Sequence, residues 1–203
     1  MIKFKKAMNQ SRKSRLKYKK VTSVALASVF TSTLLMSCSA NIEDYQQQSK
    51  EFDLKQYFNG DLIAWGTLQD RSDKVTRRFC VELSGRWQGD SGVLAEKFYF
   101  DDGEISYRNW LLTKQQDGSY LGSAEDVIGT AVGKHQGFAF QLQYTLALQV
   151  DESTYNVTMN DWMYQLDEYR VMNKTAISKF GFNVANVTLF FDKQLPVKKC
   201  QLI

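Results

Sequence analysis

The stretch that decides the fold is FAFQLQYTLALQV, which runs from Phe138 to Val150. Apolar side chains occupy every second position, and the positions between them carry Ala, Gln or Thr. Successive side chains of a β-strand point to opposite faces, so this period of two predicts a long strand with one apolar and one more polar face. The stretch Val75–Trp87 repeats the pattern. The chain therefore contains at least two long strands that each bury one side.

Turn-forming residues separate these strands at short, regular intervals. Asp102-Gly103 and Asp117-Gly118 are Asp-Gly pairs, which favour hairpin turns. Further turns are predicted at 71–74, 89–92, 132–137, 151–154, 166–169 and 180–183. Together they divide the chain from Leu62 onward into about nine strands.

A sequential sheet of this size leaves two long unpaired edges unless it closes on itself. We therefore predict an all-β fold, an antiparallel up-and-down meander that closes into a lipocalin-like barrel of about 8–10 strands. A half-open barrel or a sandwich is the alternative. A short helical turn is predicted before the first strand, with Phe52, Tyr57 and Phe58 packing inward.

The N-terminal segment has the layout of a secretory signal. Residues 1–20 carry nine basic and no acidic side chains, and Val21–Ser37 carries no charge. The apolar run is shorter than the roughly 20 residues that a membrane-spanning helix needs. Leu35, Met36, Ser37 and Cys38 resemble a bacterial lipobox, in which the cysteine is acylated and becomes the mature N-terminus. We predict a lipoprotein signal peptide over 1–37, starting at Met1 or Met8.

Lipidation at Cys38 assigns a role to each remaining segment. Several acyl chains, at roughly 0.8 kcal/mol per buried methylene, would hold the protein on a membrane. Ser39 follows Cys38 where retention in the inner membrane usually requires Asp, so the outer membrane of a Gram-negative bacterium, facing the periplasm, is predicted. We expect an acylated, flexible tether over 38–50, the barrel over 51–193 and a C-terminal tail over 194–203.

Removal of the signal peptide reverses the sign of the net charge. The whole chain has a formal net charge of +4, but the segment after residue 37 keeps 17 of the 26 basic residues against all 22 acidic ones, about −5. The basic character of the full sequence therefore belongs to the segment that is discarded. A nucleic-acid partner is not expected.

Motifs for catalysis or metal binding are weak. Gly89–Gly92 reads GDSG, as in a serine-protease loop, but the sole histidine, His135, follows this serine and both lie in predicted turns. One histidine and no Cys-x-x-Cys pair predict no zinc site. We predict no catalytic residue, metal or cofactor. An enzyme would need an acid and a base that converge, and Arg108, Asp126 and Asp161 are the groups to inspect.

Polar residues interleaved with aromatic ones are the candidates for ligand contact. A barrel of this size holds side chains or one small ligand. Tryptophan beside Arg or Asp on an inward face suits a ligand with an apolar body and a polar head. The candidates are Trp65, Arg108, Trp110, Asp126, Tyr144 and Trp162. The alternative is that these side chains only satisfy one another as a hydrogen-bonded layer.

The two cysteines that follow Cys38 are Cys80 and Cys200. An oxidising periplasm permits a disulfide between them. Cys80 lies on the polar side of its strand and Cys200 lies on a short tail, so neither has an obvious apolar burial site. The sequence leaves their pairing open.

Several motifs in a fixed order carry a resemblance to a known family. They are FDLKQYFNG, AWGTLQDR, RRF, GRW, DDGE, RNW, EDVIGTAVG, DWMYQ and SKFG, between Phe52 and about Asp192. This order resembles a proteobacterial lipoprotein family catalogued as a domain of unknown function (number 3833). The resemblance implies a lipocalin-like fold and the handling of a lipid in the envelope, and it assigns no catalytic residue. The C-terminal stretch with Cys200 extends beyond the family's usual boundary.

The function expected from the sequence is that of an envelope lipoprotein that binds or carries a small apolar ligand or lipid in its barrel. Its partners would be the membrane, through the lipid anchor, and that ligand. One alternative is a structural or interaction lipoprotein without a ligand. The other is an enzyme that acts on modified lipids.

Overall fold

The computed structural model describes residues 3–4, 39–46 and 51–200. Its strands are β1 (Lys3–Phe4), β2 (Gly60–Asp70), β3 (Val75–Gln88), β4 (Ser91–Phe100), β5 (Ile105–Lys114), β6 (Tyr120–Ser123), β7 (Val127–Gln136), β8 (Ala139–Val150), β9 (Ser153–Gln165), β10 (Arg170–Lys179) and β11 (Phe182–Asp192). A 3-10 helix spans Ile42–Tyr45, and helix α1 spans Leu54–Tyr57.

Strands β2 to β11 form a closed barrel of ten antiparallel strands. Each strand pairs with the next one along the chain, and β11 pairs with β2 to close the circle. The short β1 adds a parallel pairing with the end of β8. The predicted meander and its closure are confirmed. All other pairs of neighbouring strands in the barrel are consecutive in sequence, so among β2 to β11 only the β2–β11 pairing joins distant parts of the chain.

The alternation of the strands places one face of each in the barrel interior. In β5, for example, Ser106, Arg108, Trp110 and Leu112 are buried, and the residues between them are exposed. In β8 the inward residues are Phe140, Leu142, Tyr144 and Leu146. The pattern that predicted these strands therefore also separates the interior from the outer wall.

The turns follow the predicted Asp-Gly chemistry at two hairpins. Gly103 and Gly118 have φ values of +83° and +82°, a region that glycine adopts without a steric penalty. The predicted turn at 132–137 is wrong for most of its length, because β7 continues to Gln136. Gly133 belongs to that strand, and the ring of Phe140 occupies the place where its side chain would lie.

Helix α1 and its flanking residues, from Phe52 to Phe58, close one end of the barrel, which we call the closed end. Phe52 and Phe58 are 0% and 1% exposed, and their rings contact Phe140 and Phe191. The backbone carbonyl of Phe58 lies so close to Gly85 of β3 that any side chain at Gly85 would collide with it. The predicted inward packing of Phe52, Tyr57 and Phe58 is confirmed.

Hydrogen bonds fix the same helix to three different parts of the barrel. Asp53 caps α1 by accepting from the backbone N–H of Gln56 at 3.3 Å. The same carboxylate accepts from the Tyr120 hydroxyl at 2.8 Å and forms an ion pair with Lys114 at 2.9 Å. The Tyr57 hydroxyl donates to the backbone carbonyl of Tyr169 at 2.9 Å. The closed end therefore has an apolar interior, and the polar side chains of Asp53 and Tyr57 have hydrogen-bond partners.

The segment that contains the 3-10 helix packs on the outer wall of the barrel. Ile42 is buried against Ala139 and Trp162, and the Tyr45 ring lies 5.9 Å from that of Trp162. The predicted tether 38–50 therefore includes a segment that contacts the barrel. Aromatic side chains on the outer wall provide the apolar surface that this segment covers.

The C-terminal tail crosses the outer face of β3. A disulfide joins Cys80 to Cys200, with the two Cα atoms 5.7 Å apart. The backbone N–H of Cys200 donates to Glu82 at 3.1 Å. The tail covers Cys80, which is 1% exposed although it lies on the outer face of its strand.

Cys38 and the predicted signal peptide, apart from the backbone of β1, lie outside the described residues. Within the described part of the chain, no helix is both long and apolar enough to cross a bilayer.

Candidate functional site

The barrel encloses a cavity of about 120 Å³. Most of its wall is apolar and includes Phe79, Phe98, Leu142 and Met159. An apolar protein cavity of about 150 Å³ holds a benzene molecule, whereas pockets for drug-sized ligands measure about 300–1,000 Å³. The cavity therefore has room for a small molecule, or for one part of a larger one.

Charged and polar side chains interrupt this apolar wall near the middle of the barrel. We call them the interior polar cluster, which comprises Glu96 on β4, Arg108 on β5, Asp126 in the β6–β7 turn, Tyr144 on β8, Asp161 on β9 and Asn173 on β10. All except Asp126 line the cavity directly. Two neighbouring strands, β4 and β5, three further neighbours, β8 to β10, and the β6–β7 turn thus contribute to one site.

Arg108 and Asp126 form a buried ion pair. Nη2 and Nε of Arg108 donate to the same Asp126 oxygen, Oδ2, at 2.7 and 3.2 Å. Burial alone would lower the pKa of the Arg108 guanidinium, but Tyr144, Glu96 and Asp126 raise it above its ordinary value. The backbone carbonyl of Asp126 accepts from the N–H of Ala147, which holds the turn against β8. Arg108 therefore stays positively charged and forms its ion pair with Asp126.

Glu96 lies directly opposite Arg108 in the β4–β5 register. Burial raises the pKa of its carboxyl group to about 7, and the nearby Asp161 and Asp126 act in the same direction. The charge of Arg108 and hydrogen bonding from Trp110 oppose this increase. Oε2 of Glu96 is buried and has no hydrogen-bond partner within the described residues. This carboxyl group therefore changes charge near neutral pH and keeps an acceptor position open.

Asp161 is the second carboxyl group on the cavity wall. Burial raises its pKa to about 6, although hydrogen bonds from Asn173 and Thr175 and the charge of Arg108 act against the change. The Asn173 amide also donates to the backbone carbonyl of Trp162 at 3.0 Å. Asn173 is 1% exposed, so it holds Asp161 in a fixed orientation.

The charges of the cluster do not balance. Three carboxyl groups, those of Glu96, Asp126 and Asp161, face one guanidinium in the barrel interior. A buried charge is stable when it is paired and hydrogen-bonded, and Arg108 can neutralise only one of the three. Burial also raises the pKa of Tyr144, so its phenol stays protonated. The cluster is therefore rich in acceptors for an incoming hydrogen-bond donor.

The structure divides the six candidate residues into two groups. Arg108, Trp110, Asp126 and Tyr144 come together inside the barrel, where the Trp110 and Tyr144 rings lie 5.2 Å apart. Trp65 and Trp162 lie on the outer wall. Trp65 is 37% exposed, and Trp162 is covered by the 3-10 helix.

The alternation of side chains along each strand explains the positions of the two outer tryptophans. Trp65 alternates with Ala64 and Gly66, and it is these two small residues that face inward. Trp162 alternates with Asp161 and Met163, which face the cavity. Neither outer tryptophan can contact a molecule inside the barrel.

Glu96 is a functional candidate that the sequence analysis missed. It stands in the alternating series Leu94, Glu96, Phe98 and Phe100, so one acidic residue occupies the apolar face of β4. That isolated charge on an apolar face was the sequence signal that could have identified Glu96.

In the described part of the chain, no group of three or more His, Cys, Asp or Glu side chains is arranged to hold a metal ion.

The comparison with protein families matches residues 32–193 to the family described as Protein of unknown function (DUF3833). The chain belongs to this family. The matched segment includes every strand of the barrel, from β2 to β11. The family's description states no activity.

The chain is similar in structure to the S-type phycobiliprotein lyase CPES from Guillardia theta, with 9% sequence identity and a TM-score of 0.49. The likeness covers 75% of this chain and 96% of that chain. The search of curated proteins finds no match.

Proposed function

We propose that this protein is a lipid-anchored protein of the bacterial envelope whose barrel binds a small molecule with an apolar body and a polar head. The observation that carries the proposal is the cavity, whose apolar wall meets the interior polar cluster at one place. The body would displace water from the apolar wall, and the head would take up the acceptor position at Glu96.

The size of the cavity limits the occupant. About 120 Å³ suits a molecule of roughly benzene size, or the end of a longer chain. A whole phospholipid would need a much larger cavity. The ligand is therefore a small amphipathic molecule or a lipid fragment.

The binding proposal is tested by native mass spectrometry of the protein after gentle extraction. We expect a small molecule to be released from the wild-type protein. Leu142→Phe places a larger side chain in the cavity wall and should reduce that signal at least about fivefold. Leu111→Phe is the matched control, since Leu111 is exposed on the outer face of β5 and the signal should persist.

Circular dichroism would verify that both variants are folded. If the wild-type protein releases no small molecule and takes none up, ligand binding is refuted. The alternative of a structural or interaction lipoprotein would then be favoured.

The anchor proposal rests on the lipobox-like sequence Leu35–Cys38 and on the charge layout before it. Cys38→Ala should move the protein from the outer-membrane fraction to a soluble or signal-retaining form. Labelling with a fatty-acid analogue should mark the wild-type protein and not the variant. Cys200→Ala is the control and should remain labelled. A Cys38→Ala protein that still incorporates the label would refute the anchor.

A further inference from the structure

We infer that the ligand's polar head is a protonated amine, bound between the carboxyl groups of Glu96 and Asp161. The inference rests on the proposed function and names the chemical class of its ligand. It follows from the charges of the cavity wall and from the partners that those charges already have.

Arg108 provides the only guanidinium in the interior polar cluster, and its hydrogen bonds go to Asp126. Arg108 donates through both Nε and Nη2 to Asp126, and both side chains are less than 10% exposed. An anionic head, such as the carboxylate of a fatty acid, would have to compete with Asp126 for this cation. Above about pH 7, where Glu96 and Asp161 are ionised, it would also add a negative charge beside them, and like charges in a buried site repel strongly.

The carboxyl groups supply what a cationic head requires. Glu96 on β4 and Asp161 on β9 line the same cavity from two parts of the barrel wall. Oε2 of Glu96 is buried without a partner within the described residues, and Asn173 holds Asp161 in place. An ammonium group has three donors, so it can bond to both carboxylates at once. Hydrogen bonds between ionised groups are about twice as strong as neutral ones.

An alcohol head would use the same geometry with less gain. It could donate one hydrogen bond to Glu96, but above about pH 7 it would leave the negative charges of Glu96 and Asp161 uncompensated. The charge imbalance therefore favours an amine over an alcohol, and an alcohol over a carboxylate.

The charged and titratable groups around the two carboxyl groups set the pH dependence. Arg108 faces them from β5, Asp126 from the β6–β7 turn and Tyr144 from β8. A bound ammonium favours the ionised form of Glu96 and Asp161, so binding releases protons. An aliphatic amine has a pKa of about 10, so it stays protonated over the range from pH 5 to pH 8. Amine affinity should therefore rise between pH 5 and pH 8, whereas alcohol affinity should change little.

The test compares three probes that share a six-carbon chain: n-hexylamine, 1-hexanol and hexanoate. Each is titrated calorimetrically into the full-length protein in amphipol, after an apolar resin has removed copurified molecules. Empty amphipol is the blank. At pH 8 we expect n-hexylamine to bind about tenfold more tightly than 1-hexanol, with hexanoate weakest.

Glu96→Gln should reduce the preference for amine over alcohol by about tenfold. Glu125→Gln is the matched control, because Glu125 is an exposed acid beside Asp126 and the preference should persist. If Glu96→Gln does not fold, Asp161→Asn and the pH dependence of the wild-type protein provide the same test.

The outcomes separate the two proposals. Equal or tighter binding of 1-hexanol or hexanoate overturns the amine inference and leaves the ligand-binding proposal standing. Absence of binding by all three probes overturns the amine inference, and it overturns ligand binding as well if native mass spectrometry also finds no copurified molecule.

Discussion

The closed end and the interior polar cluster solve the problem of burial in opposite ways. At the closed end, Phe52 and Phe58 fill the barrel. Asp53 accepts hydrogen bonds from Gln56 and Tyr120 through one oxygen and pairs with Lys114 through the other. In the cluster, three carboxyl groups share one guanidinium, and Glu96 keeps an acceptor without a partner within the described residues. The first arrangement stabilises the fold. The second lowers stability, which is typical of a site that has another use.

The largest expected effect comes from removing an aromatic ring at the closed end. Phe58→Ala should lower the free energy of unfolding by about 3–5 kcal/mol, because the buried ring leaves a cavity. Urea denaturation would measure it. Phe182→Ala, at a position 69% exposed, is the control and should change stability by less than about 0.5 kcal/mol. Similar losses in the two variants would show that the closed end does not stabilise the barrel.

The interior polar cluster should respond in the opposite direction. The pKa of Glu96 is about 7 in the folded chain, above its ordinary value of 4.5, mainly because of burial. The folded state thus binds this proton more tightly than the unfolded state, and stability falls as pH rises from about 4.5 to 7.

Glu96→Gln removes this loss of stability, because glutamine has no carboxyl group to ionise. At pH 8 the variant should exceed the wild-type protein in stability by about 2–3 kcal/mol, with a small difference at pH 4. Urea denaturation at the two pH values would measure the change, with Glu152→Gln in an exposed turn as control. A Glu96→Gln variant that is less stable at pH 8 would mean that the ionised carboxylate supports the fold.

Asp53 provides a carboxylate of the opposite kind. Burial alone would raise its pKa, but hydrogen bonds from Lys114, Tyr120 and Gln56 lower it below the ordinary value. The stabilisation is therefore present above about pH 4 and is lost as pH falls through the lowered pKa. Asp53→Ala should lose about 1–2 kcal/mol at pH 7, and the difference from wild type should shrink near pH 2. A loss that does not vary with pH would assign the effect to packing alone.

The smallest effect is expected at the end opposite to α1. Phe180 has a φ of +52° in the β10–β11 turn and is 89% exposed. A bulky residue is strained in this region, whereas Asn tolerates it. Phe180→Asn should therefore raise the free energy of unfolding by about 0.5–1 kcal/mol, measured by thermal or urea denaturation. A loss of stability would indicate that the ring makes contacts worth more than the strain.

The sequence predicts the barrel well because the fold depends on local patterns. Alternation identifies β3 and β8, and Asp-Gly pairs identify two hairpins. Ten strands lie within the predicted range of about 8–10, but the sequence does not mark the turn between β6 and β7. Strand β6 has only four residues, and the turn Ala124–Asp126 contains no glycine or proline.

The candidate site was predictable only in part. Arg108 stands out in the sequence because it shares a strand face with Trp110, but nothing in the sequence pairs it with Asp126, 18 residues away in a turn. The side on which Trp65 and Trp162 lie could not be decided, because both stand in strands with apolar residues on each face. The pairing of Cys80 with Cys200 depends on where the tail folds back, which local patterns do not encode.

The disulfide between Cys80 and Cys200 gives the chain the topology of a ring. It encloses a separation of 120 residues, from the middle of β3 through β11. A single cut in any hairpin within this ring, such as the exposed turn at Phe180, opens the ring without releasing a fragment. The nicked protein would therefore migrate as one molecule until a reducing agent separates the two pieces. After such a cut, the barrel would keep all ten strands covalently attached to the N-terminal segment.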